Sequence, residues 1–390
     1  MKKNVKSILY IILILLAVLS VFQGARNALR YSQDFQYDAA LSLRSGINPY
    51  RESLEPTGAL QKGSTALFYR IFEKAGAPQK MEANQFPSLL MLLMPMTFLP
   101  FPAARVMWLI LNLVFTALSV LLLRQTFFKN ADRDIFNLLM LLMIAGTPWR
   151  NQIGVGQHSL FSFFFFMLAV WLSENDHALL SGLTLSVSYF KYTLTAPLAV
   201  YFLYKKRYKE LVISLIPHVI GTFAGAKMLH STFIDMIREP LKVASVLSGE
   251  GSIDIGALCG GGPVSIAVTI VIMLVLVISV FLLPEGRDGA LFSILILFSL
   301  IMTYHRIYDF FILIPAAAGT YLADPETVSH RLLLALYGIV VLYFFFVVRL
   351  LRESALCMKA GAFLYYIYLV MFVLFFVLSL RNRDSSLSPG

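Results

Sequence analysis

Strongly apolar runs of about 15–22 residues recur along this 390-residue chain, separated by short charged or Pro- and Gly-containing connectors. A bilayer core roughly 30 Å thick takes about 20 helical residues to cross, so runs of this length read as membrane helices. A transmembrane barrel would show alternating segments of about ten residues, and the chain has no such alternation. Only 14% of its residues are charged and 58% are hydrophobic, against roughly 25% charge in soluble domains. A soluble globular fold is excluded, and the fold class is an all-α integral membrane protein, a polytopic helical bundle.

Lys2, Lys3 and Lys6 precede the apolar run Ile8 to Phe22, the pattern of a secretory signal or of a first span with its basic end in the cytoplasm. Val21-Phe22-Gln23-Gly24-Ala25 is a poor cleavage site, so residues 7–23 are expected to be an uncleaved transmembrane helix. Residues 24–85 then form one long hydrophilic section outside the cytoplasm. A loop of that length is functional or disordered. Leu60, Leu67, Phe68, Ile71 and Phe72 recur in it at helical spacing, which predicts short helices on the membrane surface.

Further apolar segments lie near 86–100, 103–123, 135–148, 158–173, 178–204, 211–228, 263–283, 289–303, 308–322, 331–349 and 361–380. With the first helix they make about twelve spans in a single polytopic domain, 1–390, its bundle over 86–380 and its cytoplasmic tail over 381–390. This count puts Lys205-Lys206-Arg207-Tyr208-Lys209, Pro284-Glu285-Gly286-Arg287-Asp288 and Arg381-Asn382-Arg383 in the cytoplasm, as the positive-inside rule requires. Two layouts remain open in the middle. Segment 178–204 contains Lys191 and Pro197 and is either one tilted helix or two half-helices that turn back at Lys191. The second layout moves the Arg124 to Asp134 connector to the cytoplasm and makes 86–100 re-entrant.

The net charge of +10 comes from dispersed basic residues, several at helix ends facing anionic headgroups, and argues for a bilayer partner and against nucleic acid. Cys259 and Cys357 lack metal-ligand spacing. Both fall in loops placed outside, and a disulfide between them stays open.

Four stretches hold residues able to do chemistry. Asp34 and Asp38 are spaced i, i+4, one face of a helix, with Tyr31 and Tyr37 close by. A carboxylate there can take a proton from a substrate hydroxyl, and acids are equally favoured at a helix N-terminus. His305, Arg306, Tyr308 and Asp309 stand between two apolar segments. Charge beside hydrocarbon is costly and points to function unless the side chains snorkel, and these cations suit a phosphate. Lys191, inside an apolar stretch, needs an anionic partner or a water-lined cavity. Gln157, in Gly154-Val155-Gly156-Gln157-His158-Ser159, is placed to meet a ligand or to serve in a plain connector.

A Walker A loop, a Rossmann glycine fingerprint, His-Glu-x-x-His and Gly-x-Ser-x-Gly are all missing. Asp132-Arg133-Asp134 imitates a metal-binding acidic pair but reads as a charged connector.

Taken together, the chain resembles the GT-C superfamily of membrane glycosyltransferases, specifically glycosyltransferase family 87 of the polyprenyl-phosphate-mannose-dependent type. The resemblance rests on Asp34-Phe35 with Tyr37, on Gly46-x-Asn48-Pro49-Tyr50, and on Phe86-Pro87 opening a segment that ends near Pro95 and Pro100. Gly156-Gln157, the Gly182 segment leading to Lys191, and His305-x-x-Tyr308-Asp309 continue it. It implies a hexosyltransferase that moves a sugar such as mannose from a polyprenyl-phosphate donor to a glycolipid or glycan acceptor on the extracytoplasmic face of the cell membrane. It also implies catalytic roles for Asp34, as base on the acceptor hydroxyl, and for His305. Lys191, Arg306, Tyr37, Gln157, Tyr308 and Asp309 would bind substrate and phosphate. The leaving group is already a phosphate and needs cations rather than a proton, so no metal or cofactor is required. The rival reading is a transporter or flippase for a lipid-linked sugar, with Lys191 and Asp309 in its pathway.

Overall fold

The computed structural model describes residues 3–54, 71, 73–77, 81–247, 254, 262–281, 288–303, 305–316, 335, 337–350 and 360. Leu60, Leu67, Phe68, Phe72, Cys259, Cys357, the 361–380 segment and the 381–390 tail lie outside these. Among the described residues the regular structure is helical and contains no strand.

The first helix, α1 (Lys3–Tyr31), is 29 residues long and outruns the expected span by two turns at its far end. Its last carbonyls, which no helical N–H can reach, are capped from a neighbouring helix: Arg105 donates to Leu29 O at 3.0 Å and to Ser32 O at 2.9 Å. Next come α2 (Tyr37–Arg44) and α3 (Pro49–Leu54), the short helices of the first loop. The Gly46-x-Asn48-Pro49-Tyr50 motif has a structural reason. Gly46 takes a left-handed φ of 74°, Asn48 Oδ1 caps α3 through the Tyr50 and Arg51 N–H groups, and Pro49 fills the first helical position. Tyr50 then buries its ring and donates to Gln85 O at 2.8 Å.

Segment 86–100 is too short to cross a bilayer: α4 (Pro87–Leu93) runs into a 3₁₀ turn, Met94–Phe98. The long α5 (Phe101–Gln125) follows. Asp132 caps α6 (Arg133–Ala145) by accepting from the Asp134 and Ile135 N–H groups, which gives the acidic pair a connector role. Gly146 and Pro148 start α7 (Thr147–Val155), and the chain bends by 105° into α8 (Ser159–Glu174).

The 178–204 segment is broken, as α9 (Ala178–Ser188), a 3₁₀ turn at Tyr189–Lys191, α10 (Tyr192–Leu198) and α11 (Val200–Tyr204). Beyond it lie α12 (Tyr208–Met228), α13 (Asp235–Leu247), α14 (Gly262–Phe281) and α15 (Asp288–Met302). A 3₁₀ turn at Ile307–Ile312 and a π-helical turn at Tyr343–Val347 complete the described elements. The amphipathic α13, with Met236 and Val243 buried and Leu241 and Val246 exposed, occupies a stretch that carried no expected element.

Among the described residues, α1, α5 and α12 are each long and apolar enough to span a membrane, and the bent α7–α8 pair makes a fourth if counted as one. Exposed Ile8, Ile11, Leu15, Val18 and Phe22 on α1, and Val212, Leu215, Ile220 and Phe223 on α12, form apolar surface that a soluble protein would bury. It is lipid-facing.

Ion pairs settle which helix ends lie together. Lys6 pairs with Asp134, Lys129 with Glu174 at 2.9 Å, Arg207 with Asp176 at 3.3 Å, and Lys205 with Asp288 at 2.7 Å. Such pairs add little stability but report position. The start of α1, the α5–α6 connector, the α8–α9 turn, the α11–α12 turn and the start of α15 share one end of the bundle. This is the layout in which 178–204 turns back at Lys191. The opposite end holds residues 32–54, Lys191 and His305.

Helices α9 and α12 approach closely because position 182 has no side chain. A Cβ on Gly182 would sit 2.6 Å from Ile213 Cβ and 2.8 Å from the Glu210 carbonyl oxygen. The backbone oxygen cannot rotate away, so Gly182→Val is expected to cost about 1–3 kcal/mol, seen as a lowered unfolding midpoint in detergent. An unchanged midpoint would show that this helix pair has room to separate.

Candidate active site

The two expected acids do not share a helical face. α1 ends at Tyr31 and α2 starts at Tyr37; between them Gln36 adopts a left-handed φ of 59°, which breaks the helix and leaves Asp34 in a turn. The break follows from Phe35, which is fully buried and stacks on Phe101 at 5.6 Å and Trp108 at 5.7 Å. Anchoring this ring in the core turns its neighbour Asp34 the other way, into a cavity. Tyr37 goes with Phe35 rather than with Asp34: it is 1% exposed and donates to Leu99 O at 2.7 Å. Its expected place in a substrate site is corrected to one in the core.

The α7–α8 bend holds Asp34 from the other side. Asp34 N–H donates to Val155 O at 3.3 Å, and Gln157 Nε2 donates to Asp34 Oδ2 at 3.0 Å. Gly156 makes the turn possible with a φ of 76°, and Trp108 Nε1 pins its carbonyl at 2.8 Å.

The cations come from two breaks that face each other. Unwinding at residues 189–191 leaves backbone groups without helical partners, and side chains supply them. Lys191 N–H donates to Ser162 Oγ at 2.8 Å, Thr195 Oγ1 to Ser188 O at 2.8 Å, and Thr303 Oγ1 to Thr193 O at 2.6 Å. Lys191 Nζ meets Asp309 Oδ1 at 2.6 Å and lies 4.8 Å from the centre of the Tyr308 ring. Asp309 also accepts from Ser159 Oγ, faces His305 Nδ1 at 2.9 Å, and accepts from Arg306 N–H at 3.3 Å. The other ring nitrogen of His305 is 3.1 Å from Thr303 Oγ1.

A cavity of about 190 Å³ lies between these two groups. Asp34, Asp38 and Glu82 line it together with Lys191, Arg306 and Tyr308, and Gln157 and His158 lie on its wall as well. The expected residues Asp34, Gln157, Lys191, Arg306 and Tyr308 are therefore brought together. His305 and Asp309 are not on the wall. Both are buried, at 0% and 1% exposure, and hold Lys191 from behind, which corrects the expectation of His305 beside the ligand. Asp38, Glu82 and His158 were not among the expected site residues. Among the described residues, no cluster of three His, Cys, Asp or Glu side chains is placed to hold a metal ion.

Burial pushes the Asp38 carboxyl up to about 7, and the carboxylates of Glu82 and Asp34 add to the effect, against the lowering hydrogen bond from Ala39 N–H. The folded protein thus holds a proton between pH 4 and 7 that the unfolded chain has lost. Stability that is complete below about pH 4 is expected to fall as pH rises through 7, by on the order of 1–4 kcal/mol. The Asp38→Asn variant should flatten that slope, measured as unfolding midpoints in detergent at pH 5 and pH 8; parallel slopes for the two proteins would refute the assignment. For the buried pair, Asp309→Leu strands the Lys191 ammonium and should cost about 3–5 kcal/mol. Adding Lys191→Met should recover much of that loss, and a double variant no more stable than the single one would contradict it.

The model of glycosyltransferase family 87 matches residues 87–305, more than half of the chain. No curated protein matches, and no solved structure does. The matched stretch includes Gln157, Lys191 and His305 and stops short of Asp34 on one side and of Arg306, Tyr308 and Asp309 on the other. Between the transferase and transporter readings the match selects the transferase: this chain is a helical membrane protein that belongs to glycosyltransferase family 87.

Proposed function

We propose that the protein transfers a hexose, such as mannose, from a polyprenyl-phosphate donor to a hydroxyl of a glycolipid or glycan acceptor, with inversion at the anomeric carbon. One observation carries this reading: a single cavity is lined by a carboxylate, Asp34, and by two cations, Lys191 and Arg306. In the proposed reaction Asp34 takes the proton of the acceptor hydroxyl. The freed oxygen pair forms the new glycosidic bond as the bond from the anomeric carbon to the phosphate oxygen breaks. The electrons leave with the polyprenyl phosphate, whose charge Arg306 and Lys191 stabilise.

A second cavity of about 490 Å³ supports a lipid-linked donor. Phe86, Leu89, Leu215 and Val219 line it, and Tyr192 is shared with the charged cavity. A sugar phosphate bound among the charges has apolar volume next to it for a hydrocarbon chain. The basic-end rule, by which the clustered Lys and Arg residues face the cytoplasm, supports a reading with the cavity on the extracytoplasmic side of the cell membrane and the N-terminus inside.

Purified protein incubated with radiolabelled polyprenyl-phosphate sugars and membrane lipid acceptors is expected to form labelled glycolipid. Asp34→Asn keeps the shape of the side chain and the Gln157 contact but removes the base, and should lower transfer by at least about 100-fold while leaving membrane insertion and unfolding midpoint unchanged. Full activity in that variant would overturn the role of Asp34.

A further inference from the structure

The amphipathic α13 borders both cavities: Ile237 lines the apolar one and Ala244 the charged one. These residues are seven apart, two turns along one face of a helix. The helix therefore runs about 10 Å from the space for a hydrocarbon chain to the space for a sugar phosphate. Just ahead of it, Phe233 also lines the apolar cavity, 4.3 Å from the Phe223 ring of α12.

A neighbouring face of α13 is tied to α3. Met236 and Val243 are buried in one apolar cluster with Tyr50. Between them Glu239 reaches the same helix: its Oε2 accepts from Asn48 Nδ2 at 2.8 Å, and its Oε1 lies 3.1 Å from Arg51 Nε. The Arg51 side chain is 65% exposed, and an ion pair in that setting contributes little, so the Asn48 amide is the stronger tie. Asn48 thus has two tasks, since Oδ1 caps α3 while Nδ2 holds α13. Glu239 and Asn48 stand behind the cavity walls and can act on a ligand only by placing Ile237 and Ala244. Asp34 is held separately, by Phe35 in the core and by the Gln157 amide.

We propose that Glu239 is a positioning residue for the donor: held by Asn48, it keeps α13 against the junction where the sugar phosphate meets its hydrocarbon chain. The inference rests on the polyprenyl-phosphate reading above.

The test compares steady-state kinetics of wild type, Asn48→Asp and the double variant Asn48→Asp with Glu239→Gln, using the polyprenyl-phosphate sugar that wild type transfers. Asn48→Asp retains an oxygen to cap α3 but sets a carboxylate against Glu239. It should raise the KM for the donor about 10- to 100-fold. The kcat and the acceptor KM should stay within about twofold of wild type, the pattern of lost binding without lost chemistry. Adding Glu239→Gln replaces the repelled carboxylate with an amide that can donate to the introduced acid, and should bring the donor KM back to within about threefold of wild type. An unchanged donor KM in Asn48→Asp overturns the proposal. So does a parallel loss in kcat and acceptor KM, which marks a general packing defect, and so does a double variant as impaired as the single one. A wild-type protein inert with polyprenyl-phosphate mannose, glucose and galactose overturns the donor reading itself, a failure that no variant result can imitate.

Discussion

The cationic part of the charged cavity depends on the ion pair between Lys191 and Asp309, buried at 9% and 1% exposure. An ammonium in an apolar bundle is tolerable only with a partner, and Asp309 is equally intolerable alone. Their contact therefore ties the break in segment 178–204 to the turn at 305–309, more than a hundred residues along the chain. The tie is reinforced where the backbone is most vulnerable. In hydrocarbon no water can rescue a free carbonyl, and Thr303 and Ser299 of the α15 region reach across to Thr193 and Leu194. The helix can unwind at residues 189–191 because the orphaned groups around the break are answered by Ser162, by Thr195 and by the end of α15, which leads into the turn that supplies the counter-ion.

The Asp34 part of the wall is built on a different principle. Among the described residues no ion pair fixes Asp34. Its position comes from the apolar anchor Phe35, from its N–H bond to Val155 O and from one side-chain contact, with the Gln157 amide. A carboxylate held in this way keeps lone pairs available, whereas Asp309 has its oxygens committed to Lys191, His305 and Ser159. The two aspartates are chemically identical in the sequence and acquire opposite roles from their surroundings, one as a structural counter-ion and one facing the cavity.

That contrast explains what could be read from the sequence and what could not. The apolar runs announced a helical membrane protein, since length and hydropathy act residue by residue. Asp34, Gln157, Lys191, Arg306 and Tyr308 were legible as a set because charge and amide side chains beside apolar segments demand an explanation wherever they occur. The i, i+4 pairing of Asp34 with Asp38 misled, because the spacing rule assumes a continuous helix and cannot see that Phe35 will be drawn into a core made by Phe101 and Trp108. His305 misled for a related reason: histidine near a membrane surface looks functional, and only its contact with Asp309 shows it turned away from the cavity. His158 passed unnoticed because its place on the cavity wall, set by the α7–α8 bend, exists only in three dimensions. The break at Lys191 had been one of two layouts, and the pairs Lys6–Asp134 and Lys129–Glu174, invisible in a linear reading, select between them.

The commitment of Asp309 also divides the work between the two cations of the proposed reaction. Lys191 and Asp309 together carry no net charge, so the pair contributes little long-range attraction for a phosphate. Its value lies in orientation: Nζ is held between Asp309 and the Tyr308 ring, and a donor fixed in place before the reaction stabilises developing charge without reorganising. Arg306, exposed on the same wall, brings the attraction and the forked geometry suited to phosphate oxygens. On the proposed reaction, Lys191 would supply precision where the leaving oxygen gains charge, and Arg306 the field that draws the donor in. In the proposed reaction an ammonium already committed to Asp309 binds phosphate less tightly than an uncommitted one would, before and after transfer, and so releases the spent polyprenyl phosphate faster.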